Sequence, residues 1–229
     1  MKVIIAGATG DIGRAIAKSL GQDNHELLLL YRSQDKKEGL RQVLNGMKVH
    51  FYCIQNLFER SEEIQTCFYE FSPEVFINAI GDGFYAKVED ASLVQIDASY
   101  EANFKVPFFL TQMAYRVFKA QGRGHIILIN SVSGLEGFPY GIAYCPFKFA
   151  LRGMAEVMYK EGKRYKIKVS TIYPGIVKTK LLSKMPFKPK EKGLLTPEEI
   201  ARTTKFLLHL SKESEVKELV LKNAMLTWR

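Results

Sequence analysis

The chain has 229 residues, 47% hydrophobic and 25% charged, with a formal net charge of +9 at neutral pH. That length suits one α/β domain with a substantial core, and no linker, repeat or low-complexity tract divides it. No run approaches the roughly 18 apolar residues of a membrane span, and the scattered Cys53, Cys67 and Cys145 share no metal-ligand spacing with the four histidines, so reduced thiols, no metal and a cytoplasmic setting are expected.

Apolar segments near 3–6, 26–31, 48–54, 75–79, 125–130, 167–173 and 217–221 read as strands, with helical patterns near 12–20, 36–45, 59–71, 96–120, 143–163 and 197–210. This alternation predicts a single α/β Rossmann-type domain over 1–229: a doubly wound parallel sheet of about seven strands, helices on both faces, and ligands beyond the carboxyl ends of the strands.

The first strand runs into Gly7-Ala8-Thr9-Gly10-Asp11-Ile12-Gly13 and then an amphipathic stretch. Glycines let such a turn approach a pyrophosphate, whose charge the amides and dipole at the helix start receive. The second strand ends in Tyr31-Arg32-Ser33, where NAD-preferring proteins usually carry an acid for the ribose 2′-hydroxyl. Arg32 offers a donor fork for a 2′-phosphate instead, which favours NADP(H) over NAD(H); a solvated loop arginine is the plainer alternative.

Pro107 has no amide hydrogen for the carbonyl of Asn103, so a kink and a free acceptor are expected there. Ser131 follows Ile126-Ile127-Leu128-Ile129-Asn130, where its hydroxyl can donate to a carbonyl oxygen, whereas Ser133 suits a plain cap. Thirteen residues on, Tyr144 precedes Lys148 by four, one turn of the same helix face. An ammonium there favours the ionised phenol and brings a group of pKa ~10 toward neutral working range. Cys145 points elsewhere on that helix and reads as a buried or interface thiol.

Beyond Pro174-Gly175, Lys178, Lys180, Lys184, Lys188, Lys190 and Lys192 fall close together with a single acid, Glu191. Repulsion among them predicts a segment near 176–196 that stays open as a mobile lid, an ordinary solvated loop being equally compatible. Loops after Gly81, Gly134 and Gly175 should form the substrate pocket. Their aromatics Phe84, Tyr85, Phe138, Tyr140 and Phe187 favour an apolar or ring-bearing carbonyl, or simply pack.

From Lys2 to about Asn223 the order of these motifs resembles the short-chain dehydrogenase/reductase family, in its classical branch. The resemblance implies a catalytic set of Asn103, Ser131, Tyr144 and Lys148, with a water on Asn103 extending the proton relay and Lys148 also on the nicotinamide ribose. It implies that Gly7, Thr9, Gly10, Asp11, Ile12 and Gly13 hold the pyrophosphate, and that Arg32 and Ser33 meet the adenosine end. Pro174, Gly175, Val177 and Thr179 would flank the nicotinamide. Three departures stand out: GxxGxxG spacing typical of extended relatives, Asn56-Leu57 where an aspartate commonly touches adenine, and Asn78-Ala79-Ile80-Gly81 in place of a double asparagine. Only ~55 residues follow Pro174, too few for the substrate lobe of those extended relatives.

The function implied is an NADPH-dependent reductase of a ketone or aldehyde, or the reverse alcohol dehydrogenase, working as a homodimer or homotetramer. A dinucleotide-binding sensor or interaction protein is the alternative; the intact set of four argues against it. Nucleic acid is disfavoured, because the positive charge is spread along helices and loops without a binding motif. A basic surface around an anionic cofactor, with an anionic substrate as an option, accounts for the charge.

Overall fold

A computed structural model describes residues 1–187, 189 and 192–224. Its strands are β1 (Lys2–Ala6), β2 (Glu26–Tyr31), β3 (Val49–Cys53), β4 (Val75–Asn78), β5 (Gly124–Ile129), β6 (Ile167–Pro174) and β7 (Glu218–Leu221). They form one seven-stranded sheet in the order β3-β2-β1-β4-β5-β6-β7, every pair parallel. The central strands are apolar at nearly every position because both faces are covered. Order reverses between β1 and β4, and the crevice beyond their carboxyl ends is where such sheets bind ligands.

One face carries α3 (Ser61–Phe71), α5 (Val106–Gln121) and α6 (Cys145–Gly162), which close a core around Phe68, Phe76, Leu110, Phe118 and Leu151. The other carries α1 (Asp11–Gln22), α2 (Gln34–Val43) and α7 (Pro197–Leu208), packed around Ile16, Leu20, Leu40, Ile200 and Leu207. Thr196 starts α7 with the capping box its sequence announces, its hydroxyl accepting from the Glu199 amide.

Two helices differ from the sequence reading, and a proline shapes part of each. The long helix expected over 96–120 begins earlier, at α4 (Leu93–Tyr100), where Ser92 and Gln95 cap each other. It then widens into a π-helical turn over Glu101–Lys105, in which the Val106 amide reaches back to the Glu101 carbonyl. Pro107 follows at the start of α5, so the kink takes the form of a bulge that ends where a missing amide is tolerated. Similarly, Pro146 sits in the first turn of α6, which leaves Tyr144 as the residue before the helix, with φ −126° and ψ −54°.

Candidate active site

The glycine turn is built by steric exclusion. Gly7 has φ +80°, and a Cβ on it would come within 2.6 Å of the Ala79 carbonyl at the end of β4. A Cβ on Gly13 would overlap the Gly7 carbonyl, so β1, α1 and β4 meet closer than side chains allow. Gly10 is extended at φ −79° and accepts the Arg14 amide at 2.8 Å. The first-turn amides of α1 therefore open onto a cleft of about 550 Å³, within the usual size of ligand clefts. Of the residues expected on a dinucleotide, Gly7, Thr9, Gly10, Asp11, Ile12, Gly13, Arg32, Ser33, Ala79, Gly81 and Thr179 line it.

The far end is basic. Arg14, Arg32 and Lys36 all line the cleft there; the buried Nε of Arg14 has no partner, and Arg32 forms no ion pair among the described residues. An anion is what such a donor set lacks, and a phosphate-bearing dinucleotide fits both the glycine cradle and this end.

At the other end, β5 delivers Ser131 and the start of α6 delivers Tyr144 and Lys148. The Ser131 hydroxyl donates to Ser133 Oγ at 3.0 Å and accepts the Ser133 amide at 3.1 Å, so the capping role expected of Ser133 belongs to Ser131. Ser131 and Tyr144 line the same cavity. Asn130 joins the two elements: its Nδ2 donates to the Lys148 carbonyl at 3.1 Å. Lys148 is 2% exposed, its Nζ is 5.4 Å from the centre of the Tyr144 ring, and it forms no ion pair among the described residues. Nζ and Asn103 Oδ1 press on Gly81 together, at 3.0 and 3.2 Å from where its Cβ would stand.

Burial dominates the electrostatics. It holds the Tyr144 phenol above its ordinary value, with Tyr85 adding to the effect and the nearby Ser131 hydroxyl opposing it. It also pulls the Lys148 ammonium down to about 8. For both groups the largest cause is burial, which acts against the lowering of Tyr144 by Lys148 that the spacing suggests. Both shifts favour the uncharged forms of the two groups.

Three expected contacts lie elsewhere. Asn78 is 2% exposed and its amide is used inside the protein: Nδ2 donates to the Pro107 carbonyl and to Thr111 Oγ1, and Oδ1 accepts the Ile80 amide. Asn56 is exposed in a turn at φ +54°, and Leu57 is buried in the core. The Asn103 side chain clamps the loop after β4, with Oδ1 accepting the Asp82 amide at 3.1 Å and Nδ2 donating to the Asp82 carbonyl at 3.0 Å. Cys145 is buried, which raises its thiol above the ordinary range, and all three cysteines are free. Among the described residues no acid, histidine and cysteine group could hold a metal.

The segment after Gly175 lies down over the cleft rather than standing open. Its legs are joined by Lys178 N–H to the Leu195 carbonyl and by Asn223, which bonds both the amide and the carbonyl of Ile176. A short helical turn, Lys180–Lys184, is then held from two sides: Asp11 accepts the Lys180 amide at 2.7 Å and Asp82 pairs with Lys184 Nζ at 2.5 Å. One acid distant in sequence, Asp82, thus pairs with the Lys184 ammonium, one of the lysines whose repulsion the local pattern suggests. Lys188, Lys190 and Glu191 lie outside the described residues. Pro174, Gly175, Val177 and Thr179 line a second, smaller cavity beside Ser131 and Tyr144. Tyr85, Phe138 and Phe187 line it also, while Phe84 and Tyr140 do not.

Comparison with known proteins agrees with this geometry. A family model described as short chain dehydrogenase matches residues 1–189. An uncharacterized oxidoreductase of Staphylococcus aureus strain N315 is 27% identical over 222 residues, covering 96% of this chain and 95% of its own. Among solved structures, an alcohol dehydrogenase from the archaeon Thermococcus sibiricus, complexed with 5-hydroxy-NADP, is 29% identical with a TM-score of 0.88, covering 100% of this chain and 98% of its own. ElxO with NADP bound, at 21% identity, TM-score 0.86 and 97% of each chain, shares the fold. With a glycine cradle at one end of the cleft and Ser131, Tyr144 and Lys148 gathered at the other, the chain belongs to the short-chain dehydrogenase family and is an NAD(P)-dependent oxidoreductase.

Proposed function

We propose that this protein is an NADPH-dependent reductase of a ketone or aldehyde, able to run the reverse alcohol oxidation, with Tyr144 as the acid. The observation that carries this reading is geometric: Ser131 and Tyr144 line one cavity, with the buried Lys148 Nζ 5.4 Å from the tyrosine ring. A phenol held above its ordinary value suits donation to an oxygen that gains charge. In reduction, Ser131 orients the substrate carbonyl oxygen, and Tyr144 gives its proton as that oxygen becomes an alkoxide. Lys148, still a cation at pH 7 with a value near 8, stabilises the phenolate left behind and holds the coenzyme ribose. Asn103 keeps the Gly81-Asp82 wall in place and serves the proton relay through its carbonyl. When bound, the dinucleotide supplies the hydride. In reverse, a Tyr144 phenolate would have to form first, which its burial opposes.

NADPH is favoured over NADH because Arg14, Arg32 and Lys36 surround the end of β2 without an acid among the residues lining the cleft there. The Thermococcus sibiricus dehydrogenase, crystallised with a 5-hydroxy-NADP, is consistent with that choice. We read residues 1–229 as one Rossmann-type unit with a flap at 176–196, working in the cytoplasm on a small molecule without nucleic acid. No helix among the described residues is long and apolar enough to cross a membrane. Exposed Leu93, Val94 and Tyr100 on α4, with Phe149 and Val157 on α6, favour a homodimer or homotetramer.

NADPH absorbance across a panel of ketones and aldehydes tests the activity, and direct titration of both reduced coenzymes tests the choice between them. NADH binding as tight as NADPH removes the role of Arg32. Coenzyme binding with no turnover on any carbonyl favours the sensor reading.

A further inference from the structure

We propose that the substrate is a small, uncharged carbonyl compound whose apolar body is about the size of one six-membered ring, selected by the flap after Gly175. This deepens, and rests on, the reductase function proposed above.

The cavity beside Tyr144 and Ser131 has a volume of about 130 Å³. Cavities of roughly 150 Å³ accept one benzene. Its polar lining consists of Asn130, the hydroxyls of Ser131, Ser133, Tyr144 and Tyr85, and Thr179, which also lines the coenzyme cleft. The opposite wall is apolar, formed by Phe138 from the loop after β5 and by Leu181, Leu182, Met185 and Phe187 from the flap. Among the described residues lining it none is ionic. Among the described charges of the flap and the facing loop, Lys180, Lys184 and Asp82 line the coenzyme cleft instead, and Lys184 pairs with Asp82. A carboxylate or phosphate entering the cavity would therefore leave water for hydroxyls and hydrocarbon, with no cation among the described lining residues to replace its hydration. The net charge of +9 favours an anionic coenzyme without extending to an anionic substrate.

The flap sets the limit because it supplies most of the apolar wall and is held in place from outside the cavity. Asp11 takes the Lys180 amide and Asp82 takes Lys184 Nζ, so the intervening Leu181 and Leu182 turn inward as a unit.

The decisive comparison is a matched pair: NADPH-dependent reduction of cyclohexanone and of 4-oxocyclohexanecarboxylate, the same ring with and without a charge. The neutral ketone should show a kcat/KM at least about 30-fold higher. Leu182→Arg should cut that ratio at least about tenfold by giving the carboxylate a partner. Equal or better use of the oxo acid by the unaltered protein overturns the proposal, and so does an unchanged ratio in the arginine variant. If neither ketone is turned over, calorimetric titration of the NADP⁺-loaded protein with cyclohexanecarboxamide and cyclohexanecarboxylate decides. Amide binding at least about tenfold tighter upholds the substrate class, even though the reductase function then fails. A carboxylate that binds as well as the amide, or no binding of either at millimolar concentration, sinks it.

Discussion

The two ends of the active-site cleft are built from different materials. The coenzyme end is made of backbone: Gly7 and Gly13 bring β1, α1 and β4 closer than any side chain permits, and the first turn of α1 opens onto the cleft. The substrate end is made of side chains carried by loops, and its wall is held by contacts such as Lys184 to Asp82 and Lys180 to Asp11, which span 102 and 169 residues of sequence. A backbone-built site fails abruptly when one atom is added, while a side-chain-built site changes its preference by degrees. Between them lies a buried acid and a buried cation whose electrostatic cost is set by both.

The largest effect should come from that middle region. Tyr144→Phe removes only the proton donor and should lower kcat by on the order of 10³-fold or more while NADPH affinity stays within about twofold. Near-normal turnover in this variant would eliminate the acid assigned here.

Lys148→Met should separate activity from stability. Burial lowers the lysine from 10.5 to about 8, so the folded chain holds fewer protons than the unfolded one between these values. Stability of the parent protein from this group therefore rises as pH increases from about 8 to 10.5, and below 8 the full penalty is present. The variant should be more stable than the parent by up to about 3 kcal/mol at pH 7, nearly inactive, and should lose its stability advantage by pH 10.5. Urea denaturation of both proteins across that range checks the sign; a variant less stable than the parent at pH 7 would show that packing of the lysine outweighs its charge.

Within the glycine turn the contrast is between neighbours. Gly13→Ala must displace the Gly7 carbonyl and should cost about 1–3 kcal/mol and at least tenfold in coenzyme affinity. Gly10→Ala, whose Cβ would stand 3.4 Å from the same oxygen, should cost under about 1 kcal/mol. Thermal melts and coenzyme titration of the pair test whether backbone contact sets the site. Equal losses would count against it.

The smallest effect belongs to the flap. Lys184 and Asp82 are 49% and 38% exposed, so breaking their pair with Lys184→Met should weaken flap closure by about 1 kcal/mol or less. KM should rise less than about fivefold, and tryptic cutting between 178 and 192 should increase. The same rise should appear in the parent protein at high salt, and a salt-insensitive flap would rule out the ion pair as its latch.

Periodicity alone locates the seven strands to within a residue or two, because central strands covered on both faces are apolar at nearly every position and the edge strands β3 and β7 keep short apolar runs. The glycine turn and the order Ser131, Tyr144, Lys148 are also legible from sequence, since each depends on local backbone freedom or on spacing along one helix. Pro107 foretells a kink at Asn103, though only the packed helix decides that it becomes a π-helical turn. What sequence could not decide was anything set by burial or by distant partners. Asn78 matches a coenzyme-contact position yet spends its amide on Pro107 and Thr111. Tyr144 and Lys148 have the spacing of a mutually activating pair, yet desolvation moves both toward their neutral forms. The lysines after Gly175 repel one another as a string, and only the fold brings Asp11 and Asp82 to them. Backbone conformation and side-chain period are local properties; dielectric environment and ion pairing are properties of the packed whole.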